Sequence, residues 1–374
     1  MKRPGFAVLA LLFCRCLLAS SEGSRVPGLF IFGDSLVDCG NNNIYFNSTA
    51  RADYTPYGID FYAITGRFTN ARTIADVMAE LLGLPFIPCF NDPNTTGTNI
   101  LHGINYASAG SGILDTTNSS TVVTPLTGQI RSFAGKTLPD LRALIGENTS
   151  SFLADSIFLF NTGGNDFIDH CFDDTPCVLP EFVEVLTDKY TEVVEWMYNL
   201  GARKFLLIST EVSGCTPVAR SKNNGSCIEL YNYASSLLNT KLNLSIDKFH
   251  KGMAGSHFVF VNLFEIMSEV MNNAASYGIE VIDEACCKTE AGGSSCLVDG
   301  SVCSNRSNHL FFDGGHPADV TNSIMGRMAY SANLTSYTYP FSIQRLATLN
   351  STTTFNSTLL NEASHENPDP MNAQ

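Results

Sequence analysis

Basic residues are scarce in this chain: 22 Lys and Arg stand against 36 Asp and Glu in 374 residues, a formal net charge of −14. A nucleic acid or an anionic membrane surface finds little to hold on such a chain. Charged residues of either sign amount to only 16%, against 44% apolar, so a sizeable core can be buried. Long apolar runs are missing as well. The stretch from Gly5 to Phe13 falls short of the roughly 20 residues needed to span a bilayer, and no stable membrane anchor is expected. Paired CxxC motifs are absent, and Cys286 and Cys287 are adjacent, which argues against a structural zinc site. No G-x-G-x-x-G or Walker A segment is complete, so nucleotide binding is not expected. No internal repeat is visible.

What is present points to export. Lys2 and Arg3 precede the apolar run, and Leu17-Leu18-Ala19-Ser20-Ser21 supplies small residues for cleavage, the pattern of a secretory signal peptide over residues 1–23. Of 12 cysteines, Cys14 and Cys16 fall in that leader and ten remain, an even number suited to disulfides in an oxidising compartment. Cys171 with Cys177 and Cys215 with Cys227 are the local pairs; Cys286, Cys287, Cys296 and Cys303 form a group of open pairing. Asn-x-Ser/Thr occurs at Asn47, Asn94, Asn118, Asn148, Asn224, Asn243, Asn305, Asn333, Asn350 and Asn356, so N-glycans are expected. The destination is extracellular or cell wall. Residues 24–345 read as the folded domain, and the Ser/Thr/Asn-rich stretch 346–374 as a disordered tail.

Within the domain, short apolar runs alternate with segments of helical spacing. Strands are expected at Leu29–Phe32, Ile104–Ala107, Ser156–Phe160, Lys204–Ile208 and His257–Val261, and helices at Thr73–Leu82, Glu181–Leu200 and Tyr231–His250. Alternation of this kind predicts an α/β fold, a three-layer α/β/α sandwich with a mostly parallel sheet. Ligands of such folds bind beyond the carboxyl ends of the strands. Polar, Gly-rich segments follow the expected strand ends at three places: Gly33-Asp34-Ser35, Ala109-Gly110-Ser111-Gly112 and Gly163-Gly164-Asn165-Asp166.

These segments hold the parts of a nucleophilic site. A serine hydroxyl needs an adjacent base and a group to orient that base, and N–H donors must face the developing oxyanion. Gly33 lets the chain turn sharply, exposing the Ser35 hydroxyl, with the Ser35 N–H expected at the start of a helix. Asp313-Gly314-Gly315-His316 is short enough for one turn to hold Asp313 against Nδ1 of His316, leaving Nε2 toward Ser35. A glycine N–H in the 109–112 turn and the amide of Asn165 are further donors. His102, His170, His250, His257, His309 and His365 lack a carboxylate at this spacing in a Gly-rich turn. The G-x-S-x-G elbow of ordinary α/β-hydrolases is absent.

The order of these segments resembles the SGNH hydrolase superfamily, and more closely the plant GDSL esterase/lipase family, over roughly residues 27 to 340. The resemblance is carried by Phe32-Gly33-Asp34-Ser35-Leu36-Val37-Asp38, Thr65-Gly66-Arg67-Phe68-Thr69-Asn70, Asn105-Tyr106-Ala107-Ser108, Gly163-Gly164-Asn165-Asp166-Phe167, Gly214-Cys215-Thr216-Pro217 and Phe311-Phe312-Asp313 before His316-Pro317. It implies Ser35 as nucleophile, His316 as base and Asp313 as its partner. It implies an oxyanion hole of Ser35, Gly112 and Asn165, with Gly110 as rival to Gly112. Val212, Ala71 and Phe312 stand where the family commonly has Pro, Gly and Trp or Tyr. The implied activity is hydrolysis of small-molecule or lipid esters, with no metal or organic cofactor. Acyl transfer through the same acyl-enzyme, and a non-catalytic binding protein on the same fold, are the alternative readings.

Overall fold

Leu29–Gly33 (β1), Ile157–Asn161 (β2), Lys204–Ile208 (β3) and His257–Val261 (β4) are buried along their whole length. Strands covered on both faces read as unbroken apolar runs, and parallel sheets are built from them. The four pair in parallel in the order β1-β2-β3-β4. Two further strands, Val281–Ala285 (β5) and His309–Phe311 (β6), form a separate parallel pair. Thr338–Tyr339 (β7) closes the main sheet antiparallel to β4. The computed structural model describes residues 25–172, 177–333 and 335–349, so the expected leader and most of the expected tail lie outside the described residues; the start of that tail is a correction, because Leu346, Ala347 and Leu349 are buried in the core.

The two faces of the sheet differ in chemistry. On one face Leu29, Ile31, Ile157, Leu159, Leu206, Ile208, Val259 and Val261 pack as an aliphatic layer. They meet the helices Ile74–Leu81 (α1), Leu263–Asn272 (α6), Asp319–Tyr330 (α7) and Ile343–Thr348 (α8). The other face carries phenylalanines: Phe30 stacks on Phe158 at 5.0 Å between ring centroids, Phe32 on Phe160 at 5.0 Å and Phe205 on Phe258 at 4.5 Å. These register-matched aromatic pairs each add about 0.5–1.5 kcal/mol beyond the area they bury. Helices Leu126–Ser132 (α2), Leu179–Asn199 (α4) and Glu229–Gly252 (α5) cover this side. The three-layer arrangement expected from the alternation is present. Among the described residues no helix is long and apolar enough to cross a membrane.

The expected strand Ile104–Ala107 is a correction. It makes only isolated bridges, from Asn105 to Ile31 and to Cys89. Backbone bonds of Leu29 and Ile31 to His102 and Ile104, and of Tyr106 to Ile31, still hold it alongside β1. The chain thus leaves β1 over the α1 face to reach this outer segment, then returns by way of α2 to β2 on the other side of β1. The carboxyl end of β1 is therefore a topological switch point, where a crevice opens.

Five disulfides tie the described residues: Cys39–Cys89, Cys171–Cys177, Cys215–Cys227, Cys286–Cys303 and Cys287–Cys296. The two local pairs match expectation, the group of four divides as nested bridges, and the remaining two cysteines link the start of the domain to the outer segment.

Candidate active site

Gly33, the last residue of β1, is held by one side chain from both directions. Gln129 of α2 accepts from its N–H and donates to its carbonyl, each at 2.9 Å. The Ser111 hydroxyl and the Ser108 N–H add two more donors to that carbonyl. A Cβ at Gly33 would lie 2.2 Å from the Asn161 carbonyl oxygen, so only glycine lets β1 and β2 close at this point. Ser35 follows in a turn in which the Asp34 carbonyl accepts from Val37 and Asp38. The helix expected to start here does not form. The Asp38 carboxylate takes the N–H groups of Gly40 and Asn41 instead, and Gly40 has a φ of 120°, a value no α-helix accommodates.

The Ser35 hydroxyl oxygen lies 2.8 Å from Nε2 of His316. On the other side of the ring, Nδ1 lies 2.9 and 2.8 Å from the two carboxylate oxygens of Asp313. A carboxylate only accepts, so Nδ1 carries the proton and Nε2 is left as acceptor for the serine. Asp313 is fully buried and held by the N–H groups of Gly315 and His316 at 2.8 and 2.7 Å. Its Oδ2 also accepts from the Tyr57 hydroxyl at 2.6 Å, whose oxygen in turn accepts from the Cys296 N–H. The Phe68 ring lies 4.8 Å from that of His316 and restricts its tilt.

Charge and burial set the protonation states. Burial pulls the His316 imidazole down, but Asp313, with help from Glu211 and Asp34, outweighs it, and its pKa sits above the ordinary value. Asp34 is pushed up to about 7 by burial, against the opposing pull of the Leu36 N–H and His316. Burial likewise raises Glu211 to about 8, opposed by His316.

Of the expected oxyanion donors, Ser35 and Asn165 line one cavity with His316, and of the two candidate glycines Gly110 lines it and Gly112 does not. Among the described residues none accepts from the N–H of Ser35, Gly110 or Gly112. Asn165 stands on the helical turn Gly164–Phe167 (α3) rather than in a loop, and one N–H of its amide is bonded to the Ser111 carbonyl at 3.0 Å. The second N–H is left for a ligand. Gly110 lines the cavity beside Ser35, whereas Gly112 is buried against Asp166, to whose carboxylate a Cβ there would come within 2.6 Å. No helix follows Gly112: Asp166 takes the N–H groups of Ile113 and Leu114 and the Thr117 hydroxyl, fixing a turn. Ser35, Asn165 and His316 line one cavity of about 320 Å³, within the range of small-molecule sites.

Sequence reasoning missed Tyr57, Gln129 and Glu211. Nothing in their local sequence signals a role, because each acts on a partner that only the fold brings near.

The pattern described as GDSL-like Lipase/Acylhydrolase matches residues 29–328. The chain belongs to this family. It is 38% identical to GDSL esterase/lipase At4g16230 of Arabidopsis thaliana, over 91% of this chain and 96% of that protein. It is 35% identical to GDSL esterase/lipase At1g29670 of the same plant, over 91% and 97%, and 36% identical to GDSL esterase/lipase 7, over 86% and 92%. The family supports an ester hydrolase acting on carboxylic esters.

Proposed function

We propose that the chain is a secreted, N-glycosylated serine esterase that cleaves small-molecule or lipid esters through an acyl-Ser35 intermediate. The observation that carries this reading is the unbroken line from the Ser35 hydroxyl through His316 to Asp313, with 2.8 Å at the first link. As Ser35 Oγ bonds to the ester carbonyl carbon, its proton moves to Nε2 of His316. The N–H groups of Ser35 and of Gly110, the glycine of the 109–112 turn that lines the cavity, and the amide of Asn165 stabilise the oxyanion. Collapse breaks the bond to the alcohol oxygen, which takes the proton from the imidazolium. Water then attacks the acyl carbon with His316 as base, releasing the acid and restoring Ser35. Export is supported by the five disulfides and by the leader pattern. Labelling by a fluorophosphonate, with mass mapping of the adduct, tests the nucleophile. The adduct is expected on Ser35 and lost in Ser35→Ala; wild-type turnover of p-nitrophenyl acetate by that variant would refute the mechanism. Running the same assay with added short alcohols measures how much acyl group passes to alcohol rather than water.

A further inference from the structure

The mechanism needs the Gly110 N–H turned toward the cavity, and Gly110 itself does not ensure this. Residues Ser108 to Ser111 form a β-turn, closed by the Ser111 N–H on the Ser108 carbonyl at 3.0 Å. Its central residues are Ala109, with a negative φ, and Gly110, with a φ of 82°, the values of a type II turn. Turning the central peptide over gives the type I turn, the commonest kind, with a negative φ at Gly110. Glycine takes either sign of φ about as readily, so the local sequence leaves both turns open. A trans peptide points its C=O and N–H in opposite directions. Where one turn offers the Gly110 N–H to the cavity, the other offers the Ala109 carbonyl oxygen, which would repel an oxyanion.

One buried side chain chooses between the two. Asn42 is only 1% exposed. Its Nδ2 donates to the Ala109 carbonyl at 2.9 Å and to the Ala50 carbonyl at 2.8 Å. Its Oδ1 accepts from the Ser108 hydroxyl at 2.6 Å. A nitrogen that meets two carbonyls fixes the amide's orientation, and both of its N–H groups are used. The preceding peptide is held too, by the Ala109 N–H on Oδ2 of Asp38 at 3.0 Å. Flipping the Ala109–Gly110 peptide would take the carbonyl away from Asn42 and leave a buried donor unpaired, which protein interiors avoid. On the opposite edge of that peptide the Gly110 N–H has no acceptor among the described residues, and Ala109 and Gly110 both line the cavity. Asp38 and Asn42 belong to the loop that carries Ser35, so the nucleophile's own loop sets the direction of the second donor.

We propose that Asn42 is a positioning residue of the oxyanion hole: its bond to the Ala109 carbonyl holds the 108–111 turn in its type II form and keeps the Gly110 N–H turned to the cavity. The proposal rests on the Ser35 esterase reading, and the wild type separates the two. If it neither hydrolyses p-nitrophenyl acetate nor takes a fluorophosphonate on Ser35, the esterase reading falls and this one with it. If it does both and Asn42→Ala keeps its full kcat, only the role of Asn42 falls.

Asn42→Ala is expected to lower kcat on p-nitrophenyl acetate on the order of 10²–10³-fold, as the loss of an oxyanion donor does, with KM nearly unaltered. The acid limb of its kcat/KM profile should stay at the wild-type position, because Asn42 touches neither His316 nor Asp313; a general loosening of the site would move it. Gly110→Ala, whose side chain disfavours a positive φ, should drive the same flip and lower kcat to a similar degree. The double variant should then be little slower than Gly110→Ala alone, since both changes act through one peptide. Losses that multiply in the double variant, a displaced acid limb, or a loss carried by KM would overturn the proposal. Should Asn42→Ala not fold, Asn42→Asp at pH 8 keeps the shape of the side chain while its carboxylate only accepts. It must lower kcat in the same way, and wild-type kcat there would equally overturn the proposal.

Discussion

Tyr57 and Asp313 are 256 positions apart, yet the tyrosine hydroxyl donates to the Asp313 carboxylate at 2.6 Å in a region closed to solvent. The oxygen of that hydroxyl is itself held by the Cys296 N–H. Tyr57 and Nδ1 of His316 thus share Oδ2 of Asp313, and the tyrosine holds that oxygen in place for the imidazole. Removing the hydroxyl tests this support. Tyr57→Phe is expected to fold, to lower kcat by about ten- to a hundredfold, since a hydrogen bond to a charged group contributes about 1.5–3 kcal/mol, and to leave KM nearly unaltered. Steady-state kinetics with a chromogenic ester checks it; wild-type kcat would remove Tyr57 from the mechanism.

Asn165 makes one internal hydrogen bond, to Ser111, and its loss should be felt in the transition state more than in the fold. Asn165→Ala is expected to lower kcat on the order of 10²–10³-fold, with a melting temperature close to that of the wild type. A change confined to KM would count against an oxyanion role.

The acid limb of the pH–rate profile should report His316. Its base form is the active one, and its pKa lies above the ordinary imidazole value because Asp313 outweighs burial. The half-maximal point of kcat/KM on the acid side is therefore expected above that of a free histidine. Asp313→Asn should move it downward while cutting kcat by about 10⁴-fold. An acid limb unmoved by that substitution would assign it to another group.

Glu211 gives a stability prediction of definite sign. Its pKa in the folded chain is raised from an ordinary 4.5 to about 8, so the unfolded chain ionises first as pH rises. Stability is lost between those two values, at about 1.4 kcal/mol per unit of displacement. Glu211→Gln removes the titration. Its melting temperature relative to wild type should climb by a few degrees from pH 5 to pH 8 and stay level below pH 4.5. Differential scanning calorimetry across that range reads the slope, and a flat difference would contradict a buried, neutral carboxyl.

Much of the fold could be read from the chain. Lys204–Ile208 and His257–Val261 were expected at their observed bounds, because strands buried on both faces leave an uninterrupted apolar run. The 104–107 segment misled, since its backbone bonds alternate between β1 on one side and residues 88–90 on the other and amount only to isolated bridges at Asn105. Helices α6 and α7 went unforeseen; α7 puts Thr321, Asn322 and Gly326 among its buried positions, which blurs the apolar period. At the site, Ser35, Asn165, Asp313 and His316 stood in recognisable local patterns. Tyr57 and Gln129 act across 256 and 96 residues of sequence and Glu211 through burial, and local pattern carries neither. Gly112 and Gly110 could not be separated by spacing, and in space only Gly110 lines the cavity.

The burial of Asp34 and Glu211 also changes what the chain's acidity means to a substrate. Counted from composition, every carboxyl contributes to the −14. Inside the cavity burial pushes both carboxyls up, Asp34 to about 7 and Glu211 to about 8, toward the uncharged form. An incoming ester meets a wall of hydrogen-bonding groups more than an anionic one. Above pH 8 the same wall becomes negative, and the carboxylate product released by hydrolysis is then repelled from the place where it was made.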